Sequence, residues 1–90
     1  MMTKKQVRRL LAAGASVRAI LIDADVRQRE VADACGFPQS RVAAVLAGDV
    51  GSTPEGRETA RRVFEAVAEL LGVKVKEILA ARKLNQQREA

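Results

Sequence analysis

Gln39, Ser40 and Arg41 follow one another directly after a proline, and a second glutamine, Gln28, lies upstream between Arg27 and Arg29. These side chains suit the recognition of nucleic acid. An amide can hold two edges of one adenine, a hydroxyl takes a base or a phosphate, and a guanidinium grips guanine or, more often, phosphate. Catalysis has no comparable set, because the chain has no histidine, one cysteine and no glycine-rich phosphate loop. Asp23 and Asp25 are two residues apart, so on a helix they point in different directions and form no carboxylate pair; they read as solvated residues near a helix end. Ligands of the right type for a metal are missing. The sequence therefore reads as a non-enzyme with no cofactor and no evident small-molecule ligand.

The elements that hold these side chains come from residues Gln28–Gly48, QREVADACGFPQSRVAAVLAG, which read as a short helix, a tight turn and a second helix. Ala32 must be small because the second helix crosses close above it. Gly36 falls just past the end of the first helix, where a left-handed backbone is needed and glycine adopts it without strain. Val31, Cys35, Phe37, Val42 and Val45 form the seam that sets the two helices at the steep angle of a helix-turn-helix, a spacing that points to double-stranded DNA. Placing Val42, Val45 and Leu46 inward turns Ser40, Ala44 and Ala47 most directly outward, because each residue advances by about 100°. Ala43 lies beside them, and Gln39 and Arg41 take the flanks. Gln28 opens the first motif helix, where exposed backbone N–H groups and the positive end of the dipole attract phosphate.

Composition agrees with a nucleic-acid partner. The net charge is +5 and the isoelectric point about 10.1, which favours a polyanion. Residues 1–47 carry eight Lys/Arg against four Asp/Glu, whereas residues 48–90 carry eight against seven. The excess thus lies in the half with the motif. Two prolines, two phenylalanines, no Trp or Tyr and few alternating runs predict an all-α chain. No apolar run approaches the roughly 18 residues that span a bilayer, and the N-terminus MMTKKQVRR has no signal-peptide pattern. With a single cysteine excluding an internal disulfide, the expected location is the cytoplasm, with no membrane partner. Cys35 itself reads as a core residue.

Along the chain, Thr3 can cap a helix over Lys4–Ala13 that ends at Gly14, and Ser16 can cap another over about Val17–Ala24. The motif helices run about Arg27–Cys35 and Pro38–Ala47, the second with proline in its first turn. Gly48-Asp-Val-Gly-Ser-Thr-Pro is the one clear loop. Within it Ser52 and Glu55 match a capping box; Ser52 and Thr53 either cap the long helix Pro54–Leu71 or give a second phosphate contact. That helix carries a stripe of Ala60, Val63, Phe64, Val67 and Leu70/Leu71 and stops at Gly72. Val75, Ile78 and Leu79 mark a last helix that fades into a polar tail. The domain reading is a basic N-terminal helix at 1–15, a helix-turn-helix domain at 16–84 with its motif at 28–48, and a tail at 85–90. The cluster Lys4, Lys5, Arg8 and Arg9 is either a solvated face or a phosphate-contacting arm.

The stretch VRAILIDADVRQREVADACGFPQSRVAAVLAG, followed by a Pro-Glu-initiated helix and ELLGVKVKEIL, resembles the lambda-repressor/Cro-type helix-turn-helix family over about residues 17–81. The extra N-terminal helix and short length resemble small phage- or prophage-encoded regulators. The resemblance implies a compact five- to six-helix lambda-repressor-like domain, commonly dimeric, that represses transcription from operator DNA. It also implies that Gln28 contacts the DNA backbone and braces a neighbouring base reader, with helix 38–47 in the major groove. One departure stands out. Family members usually carry Ser, Arg, Asn or Lys at several outward positions where this chain has Ala43, Ala44 and Ala47. Base reading then rests on Gln39 and Ser40.

The expected DNA-binding residues are thus Arg27, Gln28, Arg29, Gln39, Ser40, Arg41, Ala43 and Ala44, in a homodimeric transcriptional regulator, a repressor. Two rival readings remain. The small, flat alanine face suits a protein-interaction module on the same fold, antitoxin-like or a phage accessory factor. The net charge alone suits a nonspecific nucleoid-type binder. The first helix (Val7, Leu10, Leu11) and the last (Val75, Ile78, Leu79) are either dimer surfaces or the completion of the monomer's core.

Overall fold

Six helices are present in a computed structural model that describes residues 2–48 and 53–89, with side chains through Arg82. They are α1 (Lys4–Ala12), α2 (Val17–Asp23), α3 (Gln28–Cys35), α4 (Gln39–Leu46), α5 (Pro54–Leu71) and α6 (Val75–Glu89), and no strand occurs among the described residues. Local chemistry sets most of the ends. Thr3 and Gln6 form a capping box: the Gln6 N–H donates to Thr3 Oγ1 at 3.2 Å and the Thr3 N–H to Gln6 Oε1 at 2.9 Å. Ser16 accepts the Ala19 N–H at 3.1 Å and Thr53 accepts the Gly56 N–H at 3.0 Å, so both act as N-caps. The expected box between Ser52 and Glu55 involves a residue outside those described.

The packing is all-apolar inside. Val7, Ile20, Val31, Val42, Val63, Phe64, Val67 and Ile78 are buried to within 1 % of complete, and no polar or charged side chain among the described residues is buried. Helix α3 lies between α4 and α5, while α6 packs on both α5 and α1. Val7, Leu11 and Ile78 therefore belong to the monomer's own core, whereas Leu10 and Val75 are half-buried and Leu79 is exposed. The radius of gyration, 12.1 Å, is close to the ~12 Å of a folded chain this long. No described helix is long and apolar enough to cross a membrane.

Three local expectations change. Pro38 is the N-cap of α4, with φ −62° and ψ 150°, rather than its first helical residue, so α4 begins at Gln39. Helix α6 continues as helix to Glu89, through residues that read as a polar tail. A polar helix end has no apolar stripe to betray it. Leu70 and Leu79, assigned to apolar stripes, are 41 % and 39 % exposed.

Candidate nucleic-acid interface

The turn between α3 and α4 is built from one backbone requirement. Gly36 has φ 78°, and its N–H closes α3 on the Ala32 carbonyl at 2.8 Å. A Cβ placed there would meet nothing within 4 Å, so the demand for glycine comes from the left-handed backbone and not from crowding. Phe37 is half-buried against the core, and Val42 and Val45 are the two fully buried residues of α4. Ala32, at 6 % exposure, is the small residue that lets the helices approach. Cys35 is half-buried on the same cluster with its Sγ 3.7 Å from the Ala32 oxygen.

The entrance to α3 is just as constrained. Helix α2 ends through Asp25, whose φ of 58° puts a non-glycine residue in the left-handed region, and the Val26 N–H returns to the Leu21 carbonyl at 2.9 Å. Aspartate tolerates that conformation better than most residues. At the first turn of α3 the Glu30 carboxylate accepts the Arg27 N–H at 3.0 Å. That carboxylate offsets part of the positive potential which the dipole alone would offer a phosphate at this end. Arg27 and Arg29 restore it.

Two grooves flank α4. One, about 550 Å³, is lined by Arg27, Gln28, Arg29 and Gln39 together with Arg18 of α2, over an apolar floor that includes Leu21 and Leu46. The other, about 370 Å³, lies between α4 and the start of α5 and is lined by Ser40, Arg41 and Ala44 facing Gly56 and Thr59. Helix α4 is thus a ridge with hydrogen-bonding side chains on both slopes. Seven of the eight expected residues line one groove or the other; the eighth, Ala43, is half-buried and lines neither. Ala44 is also half-buried, under the start of α5, and does not point straight outward as the helical wheel of α4 alone indicates. Ser40 and Ala47 are exposed as expected.

Arg18 escaped the sequence reading. It stands on the helix before the motif, and only the packing of α2 brings it to the groove. Among the described residues the ion pairs are Arg8–Glu77, Arg61–Glu65 and Arg62–Glu58, so Arg18, Arg27, Arg29 and Arg41 are all without a carboxylate partner. Thr53 caps α5, and Thr59 donates its hydroxyl to the Glu55 carbonyl at 3.0 Å. In the N-terminal basic cluster, Arg8 is held by Glu77 of α6 while Lys4, Lys5 and Arg9 are exposed. No group of three or more His, Cys, Asp or Glu side chains comes together among the described residues.

Comparison of the chain with protein-family models, with curated proteins and with solved structures finds no match.

Proposed function

We propose that this chain is a sequence-specific double-stranded DNA-binding transcriptional regulator of lambda-repressor-like architecture, acting as a repressor and as a homodimer. The observation that carries the reading is the meeting of Gln28 and Gln39 in one groove with three arginines that have no ion pair among the described residues. Asp25 also lines this groove, so three arginines stand against one carboxylate. Two amides beside that excess of positive charge match what a duplex presents: base edges in a groove bordered by phosphates. On this reading the exposed ridge of α4 enters the major groove, Gln39 and Ser40 reach base edges, and Arg41 meets phosphate. Gln28, Arg27, Arg29 and Arg18 hold the backbone on the opposite slope. Occupancy of the operator, by one α4 per subunit in successive grooves about 34 Å apart, then excludes polymerase. With two base readers, the alanine positions contribute contacts to thymine methyl groups, and DNA shape and half-site spacing supply the remaining discrimination.

Selection of bound sequences from random duplex DNA at two salt concentrations tests this directly. The expected result is an enriched, two-fold-symmetric site whose preference survives the higher salt. Equal retention of random duplexes with a steep salt slope makes the chain a nonspecific binder instead. A second reading, a protein-interaction module, draws on Ile22. It is 71 % exposed on the rim of the Gln28–Gln39 groove, an unusual place for a large aliphatic side chain that meets only water and phosphate. Failure to retain any duplex at low salt favours that reading.

A further inference from the structure

A second groove system lies away from α4, between α5 and α6. Four cations line it, Arg57 and Arg61 from α5 and Lys76 and Arg82 from α6, and no carboxylate does among the described residues. Its accessible apolar surface comes mainly from Val75 and Leu79, above the buried Ala60 and Phe64. The Arg82 guanidinium carbon sits 4.3 Å from the Phe64 ring centroid and so forms a cationic cover over an otherwise buried aromatic. Partial burial lowers the pKa of Arg82 from its ordinary value, a sign that its charge is not fully solvated. Arg61 is paired with Glu65 of its own helix at 3.1 Å, whereas Arg57 and Lys76 have no ion pair among the described residues. Leu79, 39 % exposed, stands at the rim.

From this charge pattern we infer that the α5–α6 groove is a docking site for an acidic amphipathic helix of a partner protein. An apolar floor bounded by cations is complementary to a helix with Leu or Phe on one face and Glu or Asp along its edges. Nucleic acid fits less well, because a phosphate backbone leaves Val75 and Leu79 facing charge. A second copy of this chain also fits less well. Among its described carboxylates, Glu30, Glu58, Glu65 and Glu77 are already held by hydrogen bonds or ion pairs. Asp23, Asp25, Asp33, Glu55 and Glu69 are scattered over three helices or their ends, and form no acidic apolar-faced run. On α5, Gly56 and Thr59 face α4 while Arg57 and Ala60 face α6, so the two grooves are separate and can be filled together. The proposal does not depend on DNA binding.

The test uses the full chain without DNA and a synthetic peptide of about four helical turns, with Leu at helical spacing on a Glu-rich background. Polyglutamate of the same length and a short random duplex serve as comparison probes. Amide chemical shifts are followed by NMR and affinities by calorimetry. The expected result is that the peptide shifts residues of α5 and α6 around Arg57, Phe64 and Leu79. The pair Arg57→Glu with Lys76→Glu should weaken it at least about tenfold, and Arg57→Lys should retain it. Both positions are exposed, and circular dichroism of each variant checks that the fold is kept. Absence of shifts in this groove overturns the proposal. So does polyglutamate binding as tightly as the peptide, or the duplex shifting the same residues and competing for them.

Discussion

The Glu77 carboxylate joins α1 to α6: one oxygen accepts Arg8 Nε at 3.0 Å and the other accepts the Lys74 N–H at 2.9 Å. One side chain thus caps the last helix and ties it to the first. The Lys74 N–H bond is the main reason its pKa lies below the ordinary 4.5, with Arg8 and the Lys74 charge adding to the effect and desolvation opposing it.

That relationship sets a pH dependence. A carboxyl whose pKa is lowered by folding contributes stability above its unfolded value and loses it as pH falls through the folded value. Wild type should therefore be more stable than Glu77→Gln near neutrality. The two should converge as pH drops below the ordinary glutamate range. Thermal melts of both proteins between neutral and acid pH check this, and a gap that persists in acid contradicts it.

Gln39→Ala and Arg29→Ala should separate reading from gripping. Loss of the Gln39 amide removes discrimination at its base position, about 1–3 kcal/mol, and leaves random duplex binding nearly unchanged. Loss of Arg29 should weaken all duplexes alike and reduce the salt slope by about 1. Arg18→Ala should behave like Arg29→Ala. Titrations of a selected and a random duplex at several salt concentrations distinguish the two behaviours.

Much of this candidate site is legible in the sequence because its constraints are local. Gly36 answers to one backbone angle, Ala32 to one helix crossing, and Val31, Val42 and Val45 to periodicity. What escaped depends on tertiary packing. Arg18 belongs to another helix, and Ala44 is covered only because α5 starts where it does. Pro38 is acceptable both at an N-cap and one residue later, so sequence alone does not choose. The groove between α5 and α6 gave no signal, since its cations come from two helices and look like ordinary solvated faces.

The left-handed Asp25 is a sharp probe of the link into α3. Asp25→Val should cost about 1–2 kcal/mol, because a β-branched side chain is strained there, while Asp25→Asn should be close to neutral. The side chain is exposed, so no packing loss confuses the comparison. Urea denaturation of the two variants measures the difference.

Phe64 is 1 % exposed and is the largest fully buried side chain. Phe64→Ala should cost about 3–5 kcal/mol. For a domain whose total stability is on the order of 5–15 kcal/mol, the variant should be largely unfolded in mild denaturant. A loss under about 1 kcal/mol would mean that α5 is not the centre of the core.

Only Val42 and Val45 of α4 are fully buried, and α3 rests on α5 as well as on α4. The ridge is therefore seated on the frame of the other helices by a narrow inner face, and its exposed residues Gln39, Ser40 and Arg41 take no part in the core. Its outer positions can be rewritten, by drift or by design, while the frame keeps its shape. The limits are those two valines, the half-buried Leu46 that packs against the core, and the small residues at 43 and 44, where bulk would push the ridge off its seat.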